Sequence, residues 1–264
     1  MKRMWQWGQY ALDTMGRVVL DRCNAVGQFV LFLATVLQIS VSTRPKFNKI
    51  LYQMDRIGVG SCLIVVLTGT FAGAVLAFQS YIGFKRFGSE DLIGPLVALS
   101  MTRELGPVLT GLMVTGRAGS AIAAEIGTMQ ITEQIDALRT LSIDIWQYLM
   151  VPRMFASVFI LPFLTIFTMI CGIIGGYIIA VYALHLNGEQ YLQGIARYLE
   201  FSDIKNGLIK SAVFGLILSW VGCYKGYRTQ GGARGVGIAT TQAVVISSVI
   251  ILIANYFLTA LLFE

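Results

Sequence analysis

Long apolar runs separated by short polar links dominate this chain. Five runs are long enough to cross a membrane, because about 20 apolar residues span the roughly 30 Å hydrocarbon core of a bilayer. They cover residues 57–84, 92–116, 154–184, 206–224 and 238–263. The pattern predicts an all-α integral membrane bundle with five transmembrane helices, formed by residues 51–264.

The first fifty residues follow a different pattern. Between Arg17 and Ser42, polar residues recur at intervals of three, four and seven, which places them along one face of a helix with an apolar opposite face. Tryptophan and lysine residues flank this segment, as is typical of a helix at headgroup depth. We expect residues 1–50 to form an interfacial amphipathic helix, and a further transmembrane span is the alternative.

The basic residues indicate how the bundle is oriented. With the five spans above, fourteen Lys and Arg residues fall on the side that holds the N-terminus and four fall in the opposite links. Cytoplasmic loops are enriched in Lys and Arg, so we expect a cytoplasmic N-terminus and a periplasmic C-terminus in a bacterial inner membrane. The net charge is +6, but the basic residues flank apolar runs and have no aromatic residues interleaved with them. This pattern does not favour nucleic-acid binding.

No motif for enzyme chemistry is recognisable in the sequence. It contains no GxxxxGK[ST] phosphate loop, no GxSxG elbow and only one histidine, and its four cysteines stand singly in apolar segments. We therefore expect no catalytic residue, no metal site and no cofactor in this chain.

Charged residues inside two apolar runs are the first candidate functional residues. Arg103 and Glu104 lie midway along the second run, where each charge costs about 2.5–3.5 kcal/mol on insertion scales. Neighbours on a helix point about 100° apart, so they need not pair with each other, and they face either a polar cavity or another helix. Lys210 is expected to pair with Glu104, to meet a lipid phosphate, or to snorkel outwards. Asn255 is a polar residue in the middle of the fifth run, and one interhelical hydrogen bond would account for its presence there.

Aromatic residues recur every third position at the end of the first apolar run. Phe78, Tyr81, Phe84 and Phe87 form this series. Such a series either presents an apolar surface to acyl chains or belongs to the aromatic belt of the membrane interface.

The polar link after the second run is acidic on the side that should be basic. It contains Glu125, Glu133, Asp136 and Asp144 among many small residues. An acidic helix of this kind is suited to dock in a groove of a soluble partner, and a solvated loop is the alternative.

A resemblance to a known family rests on the stretch LVALSMTRELGPVLTGLMVTGRAGSAIAAEIGTMQITEQIDAL at residues 96–138. It closely resembles the core signature of the MlaE/YrbE family of ABC transporter permeases, and the similarity extends over about residues 50–264. The resemblance implies a homodimer that moves phospholipids between the inner membrane and a periplasmic MCE-domain protein similar to MlaD, maintaining outer-membrane lipid asymmetry. It also implies a cytoplasmic ATPase similar to MlaF and a small STAS-domain subunit similar to MlaB.

The resemblance also implies roles for individual residues. In that family the RELGP motif lines a lipid cavity at the dimer interface, which here corresponds to Arg103 and Glu104, with Lys210 in a matching position. We add Tyr81, Phe84 and Phe87 to the predicted cavity. The AEIG and EQIDAL motifs form the family's coupling helix, here about residues 118–142, with the residues Glu125, Glu133, Gln134 and Asp136. An ion-coupled secondary transporter and a non-transporting membrane scaffold are the alternative functions.

Overall fold

The computed structural model describes residues 20, 23–40, 42 and 47–262, and none of these residues forms a β-strand. The prediction of an all-α membrane protein is confirmed. Helices predominate, and they are numbered here in chain order. They are α1 (Cys23–Ser40), α2 (Phe47–Phe84), α3 (Glu90–Ile131), α4 (Gln134–Thr140), α5 (Trp146–Ala183), α6 (Gly188–Tyr198), α7 (Phe201–Tyr227) and α8 (Gly232–Leu262).

The chain divides into two units, residues 1–44 and 45–264. Helix α1 belongs to the first unit and is itself long and apolar enough to cross a membrane, as are α2, α3, α5, α7 and α8. The five predicted spans are therefore present together with an N-terminal helix. Residues 1–19 of the predicted interfacial segment lie outside the described residues, and the interfacial position of α1 stays a prediction.

Helices α2 and α5 pack closely along the bundle. A side chain on Gly73 of α2 would collide with the backbone of Gly172 on α5, and one on Gly175 of α5 would collide with the backbone of Thr70, so this crossing requires glycine on both helices. Next to it, the hydroxyls of Thr110 on α3 and Thr168 on α5 form a buried hydrogen bond of 2.6 Å. Small residues and paired hydroxyls thus hold α2, α3 and α5 together, as is common where lipid replaces water as the solvent.

Helix α7 lies at the centre of the bundle and α8 at its edge. In the most apolar 18-residue window of each helix, 67% of the α7 residues are buried but only 11% of those in α8. Helix α7 begins at Phe201, earlier than the predicted Asn206, because Glu200 and Asp203 form a capping box that starts it. The preceding link contains α6, which Asn187 caps by accepting the backbone N–H of Glu189.

Helix α3 continues beyond the predicted end of the second span. It runs from Glu90 to Ile131, so the predicted coupling segment 118–142 consists of the end of α3, a turn, and the short helix α4. The stretch after Arg117 is rich in alanine, which favours helix strongly and lets α3 continue. The turn contains Glu133 in the left-handed conformation, with φ of 59°.

Candidate functional site

The centre of the site is an irregular turn in α3. Residues Met101–Leu105 form a π-helical turn in which the N–H of Gly106 bonds to the carbonyl of Met101. Pro107 follows and has no N–H to offer to the Arg103 carbonyl four residues earlier. That carbonyl instead accepts a hydrogen bond of 2.9 Å from Nζ of Lys210. The proline therefore leaves the Arg103 carbonyl without its usual helical donor in the membrane interior, and α7 supplies a donor in its place.

Glu104 is held by three side chains from two other helices. Its Oε1 lies 2.7 Å from Nζ of Lys210 on α7 and accepts a 2.9 Å bond from the hydroxyl of Thr259 on α8. Its Oε2 accepts a 2.9 Å bond from the amide of Asn255, also on α8. Lys210 additionally donates to the Thr259 hydroxyl at 2.7 Å. This network joins α3, α7 and α8 at one level of the bundle.

Arg103 forms a separate ion pair. Its Nε lies 2.7 Å from Oδ1 of Asp203 near the start of α7. The other carboxylate oxygen of Asp203 accepts the backbone N–H of Glu200 at 3.1 Å and so completes the capping box. Asp203 thus fixes the start of α7 and ties it to the middle of α3.

We call the six residues of these two networks the charge cluster: Arg103, Glu104, Asp203, Lys210, Asn255 and Thr259. Its members differ in exposure. The side chains of Lys210 and Asp203 are 0% and 4% exposed, whereas those of Glu104 and Arg103 are 37% and 42% exposed. A charge facing acyl chains is costly, so the open side of the charge cluster requires water or polar headgroups next to it. The arrangement suits a polar cavity whose floor is made of satisfied ion pairs.

The aromatic residues predicted to line the cavity lie near the end of α2. Tyr81 and Phe84 instead pack against a buried cluster that includes Ala77, Ile93 and Tyr191. Phe87 is 81% exposed. Burial raises the pKa of Tyr191, which lies on α6 outside the spans. The structure therefore places Tyr81 and Phe84 in the packing between α2, α3 and α6.

The acidic residues of the predicted coupling segment fall into two groups. Glu133, Gln134 and Asp136 are exposed on and beside α4, where Asp136 makes a local 3.0 Å ion pair with Arg139. Glu125, near the end of α3, lies between two arginines, 3.2 Å from Nη1 of Arg56 on α2 and 3.1 Å from Nη2 of Arg153 on α5. Glu125 therefore joins helices within this chain, and the other three residues face outwards.

Helix α4 is connected to two long helices. Arg139 donates a hydrogen bond to the hydroxyl of Tyr227 at the end of α7. The ring of Tyr227 lies 5.6 Å from that of Trp146 at the start of α5. A displacement of α4 would therefore act on the ends of α5 and α7.

Comparison with known proteins now identifies the family. The model of the family described as Permease MlaE matches residues 50–261. The chain belongs to the MlaE permease family. This permease is 46% identical over 252 residues to a probable ABC transporter permease protein of Rickettsia bellii, covering 96% of this chain and 97% of that one.

Two further relatives of this MlaE-family permease have more specific names. The intermembrane phospholipid transport system permease protein MlaE of Haemophilus influenzae is 36% identical over 255 residues, covering 96% of this chain and 97% of the relative. The chloroplastic protein TRIGALACTOSYLDIACYLGLYCEROL 1 of Arabidopsis thaliana is 43% identical over 216 residues, covering 81% of this chain and 61% of the relative. The chain is thus a multi-pass ABC transporter permease, a class of subunit that is not itself an enzyme.

Three of the residues singled out in the sequence come together in the structure of this permease, and their functional role stays a prediction. They are Arg103, Glu104 and Lys210, and the one hydrogen bond predicted for Asn255 is directed to Glu104. Asp203 and Thr259 were missed. The spacing of Glu200 and Asp203 is a capping-box signal for Asp203, whereas Thr259 carries no comparable signal. Within the described residues no group of three or more His, Cys, Asp or Glu side chains is placed to hold a metal.

Proposed function

We propose that this chain is the permease that moves phospholipids between the inner membrane and a periplasmic MCE-domain partner, and that this transport contributes to outer-membrane lipid asymmetry. The charge cluster is the observation that carries the proposal. Arg103 and Glu104 keep an open side within a membrane helix, while Lys210 and Asp203 neutralise them from below. A phospholipid headgroup carries both a phosphate and, in many lipids, a cationic group, so it can meet both exposed charges.

The acyl chains of the transported lipid would lie beside the cluster. We propose that the cavity forms between two copies of the chain, since α8 is the least buried of the candidate spans in residues 47–262 and supplies Asn255 and Thr259. Tyr81, Phe84 and Phe87 would contribute an apolar wall nearer the end of α2. The Haemophilus influenzae relative, named for phospholipid transport, supports this choice of ligand.

A cytoplasmic ATPase similar to MlaF would drive the transport. We propose that it docks on Glu133, Gln134 and Asp136, which are exposed. Its motion would pass from Arg139 to Tyr227 and so along α7, the helix that bears Lys210 and Asp203. Glu125 would act in this coupling by holding α2, α3 and α5 together. A STAS-domain subunit similar to MlaB would complete the complex on the same side.

The distribution of Lys and Arg supports the orientation. We propose that the N-terminus and α4 are cytoplasmic and that α6 and the C-terminus are periplasmic, since the basic residues are concentrated on the α4 side. Labelling of a cysteine introduced at Asp136 by a membrane-impermeant reagent in intact spheroplasts tests this. No labelling is expected before lysis, and labelling before lysis would contradict the orientation.

Reconstitution tests the function. Complex purified through this chain should contain an ATPase, an MCE-domain protein and phospholipid, and in vesicles it should transfer labelled phospholipid to the MCE-domain protein only with ATP. Transfer by the chain alone under an ion gradient would indicate a secondary transporter. A lipid-free, tightly packed dimer without transfer would indicate a scaffold.

A further inference from the structure

A second polar pocket lies in α2 and α3, away from the charge cluster. Its volume is about 140 Å³, and its lining includes Arg56 and Ile57 of α2 and Arg117, Ala118 and Ile122 of α3, with Glu125 at its edge. Arg117 is fourteen residues beyond Arg103 on α3, which corresponds to about 20 Å along the helix. The pocket therefore cannot share a bound headgroup with the charge cluster. We call it the arginine pocket.

The guanidinium of Arg117 is held in place by the backbone of α2. Its Nη1 donates to the carbonyl of Arg56 at 3.3 Å and to the hydroxyl of the fully buried Ser61 at 3.1 Å. It lies directly over Gly60, where any side chain would collide with Nη2. A glycine at this position is therefore required for the arginine to lie here. Arg117 is exposed and lines the pocket, so its guanidinium is held by α2 and remains accessible to a ligand.

The arginine pocket has an excess of positive charge. Its one carboxylate, Glu125, is bonded to Arg56 and also to Arg153, which is buried behind it. Glu125 thus bonds to two arginines, and Arg117 adds a third positive charge to the lining of the pocket, where Arg56 and Arg117 are both exposed. Planar guanidinium groups bind phosphate oxygens in pairs, which makes a phosphate the ligand best matched to this arrangement.

The position along the spans indicates where the phosphate comes from. Arg56 directly precedes the apolar run 57–84, and Arg117 directly follows the run 92–116. Both therefore lie where hydrocarbon gives way to headgroups. Ile57, Ala118 and Ile122 provide apolar walls of the pocket.

We propose that the arginine pocket binds the phosphate of a membrane phospholipid through Arg56 and Arg117, in the leaflet on the α4 side of the membrane. This site goes beyond the proposed function, because it requires neither an ATPase nor transport. It holds a lipid at the junction of α2 and α3, where Glu125 also joins these helices to α5.

Photo-crosslinking tests the site in the full chain. A benzophenone amino acid replaces Ala121, an exposed residue that lines the pocket, and the protein is placed in nanodiscs of phosphatidylglycerol. Irradiation should give a lipid adduct in the intact-protein mass spectrum. The combined R56Q and R117Q substitutions should lower its yield about tenfold, as expected for the loss of charge-assisted bonds. The control R197Q, on α6, should leave the yield unchanged.

Three further arms make the outcome decisive. G60A should also lower the yield of the lipid adduct, because its methyl group displaces the guanidinium of Arg117. The same probe at Leu63, an exposed residue of α2, should label equally in all variants, which shows that each variant is folded in lipid. Inorganic phosphate should not reduce the adduct, and a reduction would show that the pocket takes free phosphate instead. An adduct at position 121 that survives R56Q with R117Q would overturn the proposal, because it would come from ordinary surrounding lipid.

Discussion

The charge cluster and helix α4 both contain acidic residues, but their surroundings are opposite. In the cluster, Glu104 and Asp203 each bond to residues of other helices, through contacts of 2.7–2.9 Å. On α4, Asp136 pairs with Arg139 three residues later, and Glu133 is exposed in a turn. The comparison separates acids that hold the bundle together from acids that are available to a partner.

The physical basis of this difference is solvation. A buried charge that loses its partner has no water to replace it, whereas an exposed ion pair is worth about 0–1 kcal/mol because water solvates both groups. Substitutions in the cluster should therefore affect stability and lipid binding together. Substitutions on α4 should affect only the binding of the partner.

The largest effect is expected for Lys210→Met. The substitution removes one ammonium group that bonds Glu104, Thr259 and the Arg103 carbonyl. We expect a loss of about 3 kcal/mol in the free energy of unfolding, the low end for a broken buried pair because Glu104 is partly exposed. Denaturant titration in detergent, followed by circular dichroism, measures it.

Lys205→Met is the matched control for that prediction, because Lys205 lies on the same helix and is exposed. It should change stability by less than about 0.5 kcal/mol. Equal effects of the two substitutions would show that the cluster does not stabilise the bundle.

A smaller loss is expected for Asp203→Asn. The amide retains one oxygen for the N–H of Glu200 but loses the charge that pairs with Arg103. We expect about 1–3 kcal/mol, as for hydrogen bonds to charged groups. A double-mutant cycle with Arg103→Gln should give a coupling energy above about 0.5 kcal/mol. Additive effects would mean that the pair contributes nothing.

Thr259→Val should lower the free energy of unfolding by less than Asp203→Asn does. It removes a hydroxyl that accepts a hydrogen bond from Lys210 and donates one to Glu104. The ion pair between Lys210 and Glu104 remains. We expect a loss of about 1 kcal/mol. Thr241→Val on the same helix is the control, since the Thr241 hydroxyl bonds to the carbonyl of Gly237 within its own helix. A loss equal to that of Lys210→Met would contradict the order of contributions.

The smallest effect on stability is expected for Asp136→Lys and Glu133→Lys. Each should change the free energy of unfolding by less than about 1 kcal/mol, because both residues are exposed. Each should nevertheless abolish copurification of the ATPase, since the charge facing the partner is reversed. Glu189→Lys on α6 serves as the control. A variant that keeps full ATPase association and lipid transfer would show that α4 is not the docking element.

The sequence was informative where a single helix determines the outcome. The apolar runs predicted α2, α3, α5, α7 and α8, and the angle between adjacent helical residues predicted that Arg103 and Glu104 need not pair. The chain then pairs each of them with a different residue of α7. Lys210 as a partner of Glu104 was one of three alternatives, and the structure selects it.

Pairings between distant segments were less accessible. Asp203 was assigned to a polar link because local composition there is polar, yet the capping box extends α7 to include it. Glu125 was grouped with Glu133 on the basis of charge alone. Only the packing of α2 and α5 against α3 shows that Arg56 and Arg153 enclose it. Such contacts depend on the relative rotation of whole helices, which no local pattern specifies.

The central claim is that Arg103 and Glu104 hold a phospholipid headgroup. Quantitative mass spectrometry of lipid bound to the purified complex tests it most directly, with Arg103→Ala and Glu104→Ala compared with the wild-type chain. We expect both variants to retain clearly less phospholipid per permease. Wild-type lipid occupancy together with wild-type transport in both variants would contradict the claim.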